Sequence, residues 1–274
     1  MGRPAMGGRV LFDGLSGAGS DARPVPLAVG FHDIRPQIGI EVTQEHLDLK
    51  EMAALDGLPM TTVERCLGFE MRYAVSLRNA VVAFCMAAYS DLVSTEEMDT
   101  FFACHRGWDG IRLARAAMEL AEENCWSPQE VRMLLVWLLD AGLARPLCNR
   151  PVFDRSGRHI GTPDLLDVEA GVAGEYDSTL HLHGGQRRKD RDREEVFRGV
   201  GLEYFTILTG DLQDRMRTAE RMRLARSRAR FEAESRRAWT IELPHWWIPT
   251  FTVEQRRNLT PAEQTRVLGY RRTA

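Results

Sequence analysis

Lysine is nearly absent: Lys50 and Lys189 are the only two, and every other member of the 36 Lys and Arg is arginine, as a GC-rich coding sequence would give. Long apolar runs are missing as well. The strongest, Ala80 to Tyr89, is about half of what a membrane span needs, so no transmembrane segment and no membrane partner are expected. The first residues carry Gly and Arg without an apolar stretch, so no secretory signal is expected. Cysteine is sparse and unpatterned. Cys66, Cys85, Cys104, Cys125 and Cys148 show no Cys-x-x-Cys and no Cys/His pairing, so neither a zinc site nor a disulfide framework is supported. They read as small core residues of a reduced, cytoplasmic protein. No internal repeat is visible.

What remains is ordinary globular composition: 274 residues, 44% hydrophobic and 27% charged, enough for one or two domains. The net charge of −3 hides a split, because residues 185–274 hold 20 Arg and Lys against 13 Asp and Glu, leaving the front acidic. A basic back half suits a polyanion, although a solvated helix face is the commoner origin of such a bias.

The glycine-rich residues 1–28 are expected to lack regular structure, and residues 29–124 to be mainly helical after one or two strands in Phe31–Val42. Thr62, Ser76 and Ser94 each suit a helix N-cap, and a further helix is read from about Trp108 to Glu123. Ser127-Pro128-Gln129-Glu130 opens a helix that runs through Leu139, with Gly142 as its stop. The texture then changes. Residues 151–154 and 160–166 flank Arg155-Ser156-Gly157-Arg158 as a hairpin, Val172–Tyr176 is a third strand, Gln186–Val200 a helix and Leu202–Leu208 a fourth strand. A long arginine-rich helix is expected from Asp211 to about Arg237, packing weakly because its apolar residues are few. The fold class is therefore α/β: a helical N-terminal half, a core at 125–215 built on a small mixed sheet flanked by helices, and a long C-terminal helix and tail over 216–274.

Acidic residues fall at informative places in that core. Asp164 follows Pro163 in the second strand of the hairpin. Glu175 and Asp177, two apart on a strand, emerge on one face of the sheet. Glu130, in the first turn of the preceding helix, can lean over the same face. Carboxylates gathered at one sheet edge repel unless a cation sits among them, and oxygen ligands alone favour Mg²⁺ or Mn²⁺. Such a site activates water for phosphodiester hydrolysis. Each residue also has a plainer explanation. Ser127-x-x-Glu130 is a complete capping box, Asp164 can be a turn residue, and the basic run Arg187-Arg188-Lys189 can be a solvated face. Trp246 and Trp247 either stack on bases or, more simply, dock onto the core.

The order Glu130, Pro163-Asp164, Glu175-Tyr176-Asp177 and His181 resembles the PD-(D/E)XK nuclease superfamily. It is closest to the very-short-patch-repair-like endonuclease domain of actinobacterial genomes. A later pattern of that domain, Asp-x-x-Arg-x-x-x-(apolar)-x-x-x-Gly, is present as Asp190, Arg193, Phe197 and Gly201. The resemblance covers about residues 125–215. Asp177 stands where the wider superfamily has Lys, as is usual in this branch, and Ser178 where the branch has Gly.

The resemblance implies a restriction-endonuclease-like fold and a metal-dependent endonuclease hydrolysing DNA, with RNA as a further candidate substrate. Asp164, Glu175 and Glu130 would hold Mg²⁺ or Mn²⁺, while Asp177 and His181 would orient or deprotonate the attacking water. Arg187, Arg188, Lys189 and Arg193 would meet phosphates, Arg193 alternatively holding Asp190. A second expectation is a catalytically silent nuclease fold that binds nucleic acid or regulates, as a partner in a toxin or phage-defence system.

Overall fold

The computed structural model describes residues 24–30, 32, 34–35, 37–177 and 193–269. The chain divides into two compact units, one of residues up to Cys66 together with those from Leu259 onward, the other Leu67–Asn258.

In the first unit, β1 (Val25–Ala28) pairs in parallel with β2 (Ile40–Thr43), and β3 (Met52–Leu55) forms a hairpin with β4 (Leu58–Thr61). The strand at 25–28 corrects the expectation that residues 1–28 are irregular throughout: Val25-Pro26-Leu27-Ala28 is a short apolar run beyond the glycine-rich stretch. Asp56 and Gly57 turn the hairpin, both at positive φ. Helix α9 (Pro261–Val267) starts after Thr260, which forms a capping box with Glu263.

Helix α1 spans Val63–Arg72. In the second unit α2 (Leu77–Tyr89), α3 (Thr95–Cys104), α4 (Ile111–Met118) and α5 (Pro128–Leu135) follow. Ser76 and Ser94 cap α2 and α3 through their side chains, as their positions predict. Helix α5 continues into a π turn, Val136–Asp140, which Gly142 follows at positive φ.

Four strands form the central sheet in the order β10-β9-β8-β5, from β5 (Leu147–Cys148), β8 (Leu165–Asp167), β9 (Val172–Asp177) and β10 (Glu203–Leu208). β9 and β10 are parallel, and the other pairings are antiparallel. Residues 193–199 between β9 and β10 are helical (α6). β6 (Val152–Asp154), β7 (His159–Gly161) and β11 (Trp239–Thr240) make a second, antiparallel sheet. The hairpin is thus shorter than expected. The chain leaves it after Gly161, and Leu165–Asp167 joins the other sheet, because Pro163 has no N–H to continue a ladder. The fold is mixed α/β with small sheets.

Burial follows the sequence pattern. Val152, Leu166, Ala173, Phe197, Leu202, Tyr204 and Trp239 form one core cluster, and the Trp137 ring stacks on Phe205 at 5.9 Å. Gly174 is required where it stands: a Cβ there would run into the Phe205 ring. Trp247 meets Phe153 edge-on at 5.1 Å, so the tryptophan pair docks on the hairpin.

The arginine-rich helix differs most from expectation. It is a short turn, Asp211–Gln213, followed by α7 (Arg215–Arg228), and Ala229 is already extended. The helix does not project, for Thr218, Ala219, Met222 and Ala225 are buried. Four of its arginines are anchors. Arg226 pairs with Asp167 at 2.8 Å and Glu169 at 2.6 Å, Arg228 with Glu203 at 2.8 Å, and Arg221 with Asp211 at 2.6 Å. Arg223 donates to the carbonyls of Asp140 and Ala141, capping the π turn.

Candidate functional site

Glu130 occupies the first turn of α5, where Ser127 Oγ accepts its N–H at 3.2 Å. The capping box is only half made. The Glu130 carboxylate turns away from the Ser127 backbone and takes two donors on Oε2, the Trp126 N–H at 2.7 Å and Asn149 Nδ2 at 2.7 Å. Asn149 is therefore the organiser of this corner. It is 1% exposed and sits at φ 47°, a left-handed conformation that asparagine tolerates better than most residues. Its Nδ2 also donates to the Asn124 carbonyl, and its own N–H donates to the Asp164 carbonyl at 3.1 Å. One residue thus ties the helix acid to the strand acid.

Asp164 lies just before β8. The Leu165–Gly174 pair continues the antiparallel register so that Asp164 falls opposite Glu175, and the Tyr176 N–H donates to Asp164 Oδ2 at 2.7 Å. Burial pushes the Asp164 carboxyl well above the usual carboxylate range. The Glu130 and Glu175 carboxylates push the same way, while the Tyr176 N–H and Arg193 pull back. Burial raises Glu130 too, against its hydrogen bonds to Asn149, Trp126 and Ser127. Of the two Asp164 oxygens, only Oδ2 accepts a hydrogen bond among the described residues.

Glu175 is held differently. Tyr204, on the neighbouring β10, donates its hydroxyl to Oε2 at 2.8 Å, and Arg193 Nη2 stands 2.9 Å from Oε1. Arg193 also donates to the Thr162 carbonyl. Burial, then the Glu175 charge, drives the Tyr204 hydroxyl far up, so it stays a donor. Asp177 ends β9 on the Glu175 face, opposite Leu208. His181, Arg187, Arg188, Lys189 and Asp190 lie outside the described residues.

The structure thus places Glu130 and Glu175 each within electrostatic reach of Asp164. Among the described residues, no three Asp, Glu, His or Cys side chains are gathered closely enough to form a metal-ligand group. Arg193 supplies the positive charge at Glu175. Asn149 and Tyr204 escaped the sequence reading. Asn149 carried one faint signal, an Asn before Arg-Pro at a strand end, where positive φ is common; Tyr204 looked like any core aromatic of a strand.

Around the site, His159 donates to or accepts from Thr162 Oγ1 at 3.0 Å, and burial, with Arg193 acting in the same direction, depresses its pKa. No helix among the described residues is long and apolar enough to cross a membrane. No family model, no curated protein and no solved structure matches the chain.

Proposed function

We propose that the chain is a metal-dependent endonuclease that hydrolyses DNA phosphodiesters on a restriction-endonuclease-like core. The observation that carries this reading is the Glu130–Asp164–Glu175 cluster. Two desolvated carboxyls lie together, the Glu130 charge adding to the burial that raises the proton affinity of Asp164, and Asp164 keeps one oxygen without a hydrogen bond among the described residues. A protein holds such a pair at neutral pH with a proton or a cation, and two hard oxygens suit Mg²⁺ or Mn²⁺. Asp164 and Glu130 fit the group as they stand; Glu175 fits once Arg193 lets go of it. When bound, the ion would lower the pKa of a water and stabilise charge on the phosphate. The chain's residues do the rest. Asn149 fixes the spacing of Glu130 and Asp164, Tyr204 orients Glu175, and Arg193 is placed to exchange its carboxylate for a phosphate oxygen. Asp177, the last residue of β9, is the candidate to orient water and accept its proton.

A direct test is cleavage of plasmid, single-stranded DNA and RNA with Mg²⁺ or Mn²⁺. Cutting that is abolished in Asp164→Asn supports the reading; no cutting of any substrate by the folded wild type refutes it.

A second reading, a silent nuclease fold that binds or regulates, is favoured by one observation. Both Glu175 oxygens already have partners in Tyr204 and Arg193, which is how a structural carboxylate is held. Thermal unfolding separates the two. A metal that binds only the native state raises the midpoint, so an unchanged midpoint in millimolar Mn²⁺ favours the silent fold.

A further inference from the structure

A cleft of about 380 Å³ is walled by Glu122, Glu123, Cys148, Arg150, Phe251 and neighbours. That volume is within the range of small-molecule sites. Its charged groups have unequal commitments. Glu123 is fully used: Oε1 takes the Thr95 N–H at 2.6 Å and Oε2 the Val253 N–H at 2.5 Å, which are the first residues of α3 and of helix α8 (Val253–Arg257). Glu122 is committed to Arg145, with which it pairs at 3.0 Å. Arg150 has no ion pair among the described residues.

The Arg150 guanidinium lies over the Phe251 ring, 3.9 Å from its centroid, and its buried Nε has no hydrogen-bond partner. Burial lowers its pKa with no carboxylate acting against it. A guanidinium oriented by an aromatic face, part-desolvated and without a counter-ion, is a prepared receptor for an oxyanion. Two helix N-termini end at the same wall, and Glu123 already serves them, so the receptor is Arg150 itself.

We propose that this cleft binds a phosphate group through Arg150. The choice of phosphate over carboxylate rests on the nuclease reading, because Arg150 is the residue after Asn149, which links Glu130 to Asp164. The phosphate comes either from a free nucleotide or from a nucleic-acid strand running past the acidic cluster.

The test is calorimetric titration in EDTA, so that no strand is cut. The probes are inorganic phosphate, a nucleoside 5′-monophosphate, acetate and a single-stranded oligonucleotide. They are titrated into wild type, Arg150→Gln, Arg150→Lys and, as a control, exposed Arg236→Gln. If a free nucleotide is the source, phosphate and the monophosphate bind wild type and weaken about 10- to 100-fold in Arg150→Gln, with Arg150→Lys between. If a strand is the source, only the oligonucleotide senses Arg150→Gln, and its log–log salt slope falls by about 0.7. Arg236→Gln changes neither. Equal binding by wild type and a natively folded Arg150→Gln, or acetate bound as tightly as phosphate, overturns the proposal. Arg150-dependent phosphate binding without any cleavage would fell the nuclease reading alone, and cleavage without that dependence would fell the cleft alone.

Discussion

Replacing Asn149 should damage stability by an amount the contacts allow one to work out. Asn149→Gly keeps the left-handed backbone and deletes the amide. The bond lost to Glu130 goes to a carboxylate, worth about 1.5–3 kcal/mol, and the bond lost to the Asn124 carbonyl is worth about 1 kcal/mol. Against this, Asn149 Oδ1 is buried without a partner among the described residues, and removing it returns about 1 kcal/mol. The net loss is about 1.5–3 kcal/mol. Asn149→Ala should lose about 1–2 kcal/mol more, because alanine resists positive φ. Urea unfolding at pH 7 measures both. The loss should also depend on pH. Asn149 pulls down a Glu130 pKa that burial raises, so its removal hurts most where Glu130 is ionised. The difference between Asn149→Gly and wild type should shrink as acid protonates that carboxyl. An Asn149→Gly protein within about 0.5 kcal/mol of wild type at pH 7 would refute the idea that this amide holds the acid in place.

Arg226→Gln should destabilise by about 3 kcal/mol in thermal or urea unfolding, because it strands Asp167, which is 5% exposed, with only the Ala170 N–H. Replacing Arg221, Arg223 and Arg228 together should lower stability yet leave the salt slope of DNA binding unchanged, since these side chains face partners within the fold; a flatter slope would return them to a nucleic-acid surface. Asp164 has a folded pKa above its unfolded one, so protonation stabilises the native state. That stability is fully present below the unfolded value near 3.8 and is lost as pH rises through the raised folded value. Asp164→Asn should therefore raise the metal-free unfolding midpoint at pH 7 and lose that advantage below about pH 4; a lower midpoint at pH 7 would mark Asp164 as a structural residue.

Much of the fold was legible where one side chain sets local geometry. Ser76 and Ser94 announce their helices because a hydroxyl satisfies an orphan amide at a fixed spacing. Glu175 and Asp177 share a face because the pleat has period two. Tertiary choices were not legible. Nothing in residues 211–237 marks a helix stop, since that segment has no Gly or Pro. The break after Arg228 comes from Phe231, which turns at φ 49°, bonds the Ala170 carbonyl and packs under Arg226. Glu130 shows the same limit. Its Ser-x-x-Glu spacing promised a closed local box, and the carboxylate was drawn off by Asn149, nineteen residues away in sequence. The pairing of Glu175 with Arg193 and Tyr204 was hidden because all three come together only when β10 and α6 pack beside β9.

The most direct test of the central claim pairs cleavage with binding on one substitution. Wild type and Asp164→Asn are compared on DNA with Mn²⁺, with binding measured beside turnover. The account predicts that Asp164→Asn stays folded, binds DNA as tightly as wild type or more so, and loses turnover by about three orders of magnitude or more, because a charge has left the ion's oxygen ligands. Cleavage at the wild-type rate by a folded Asp164→Asn protein would contradict it.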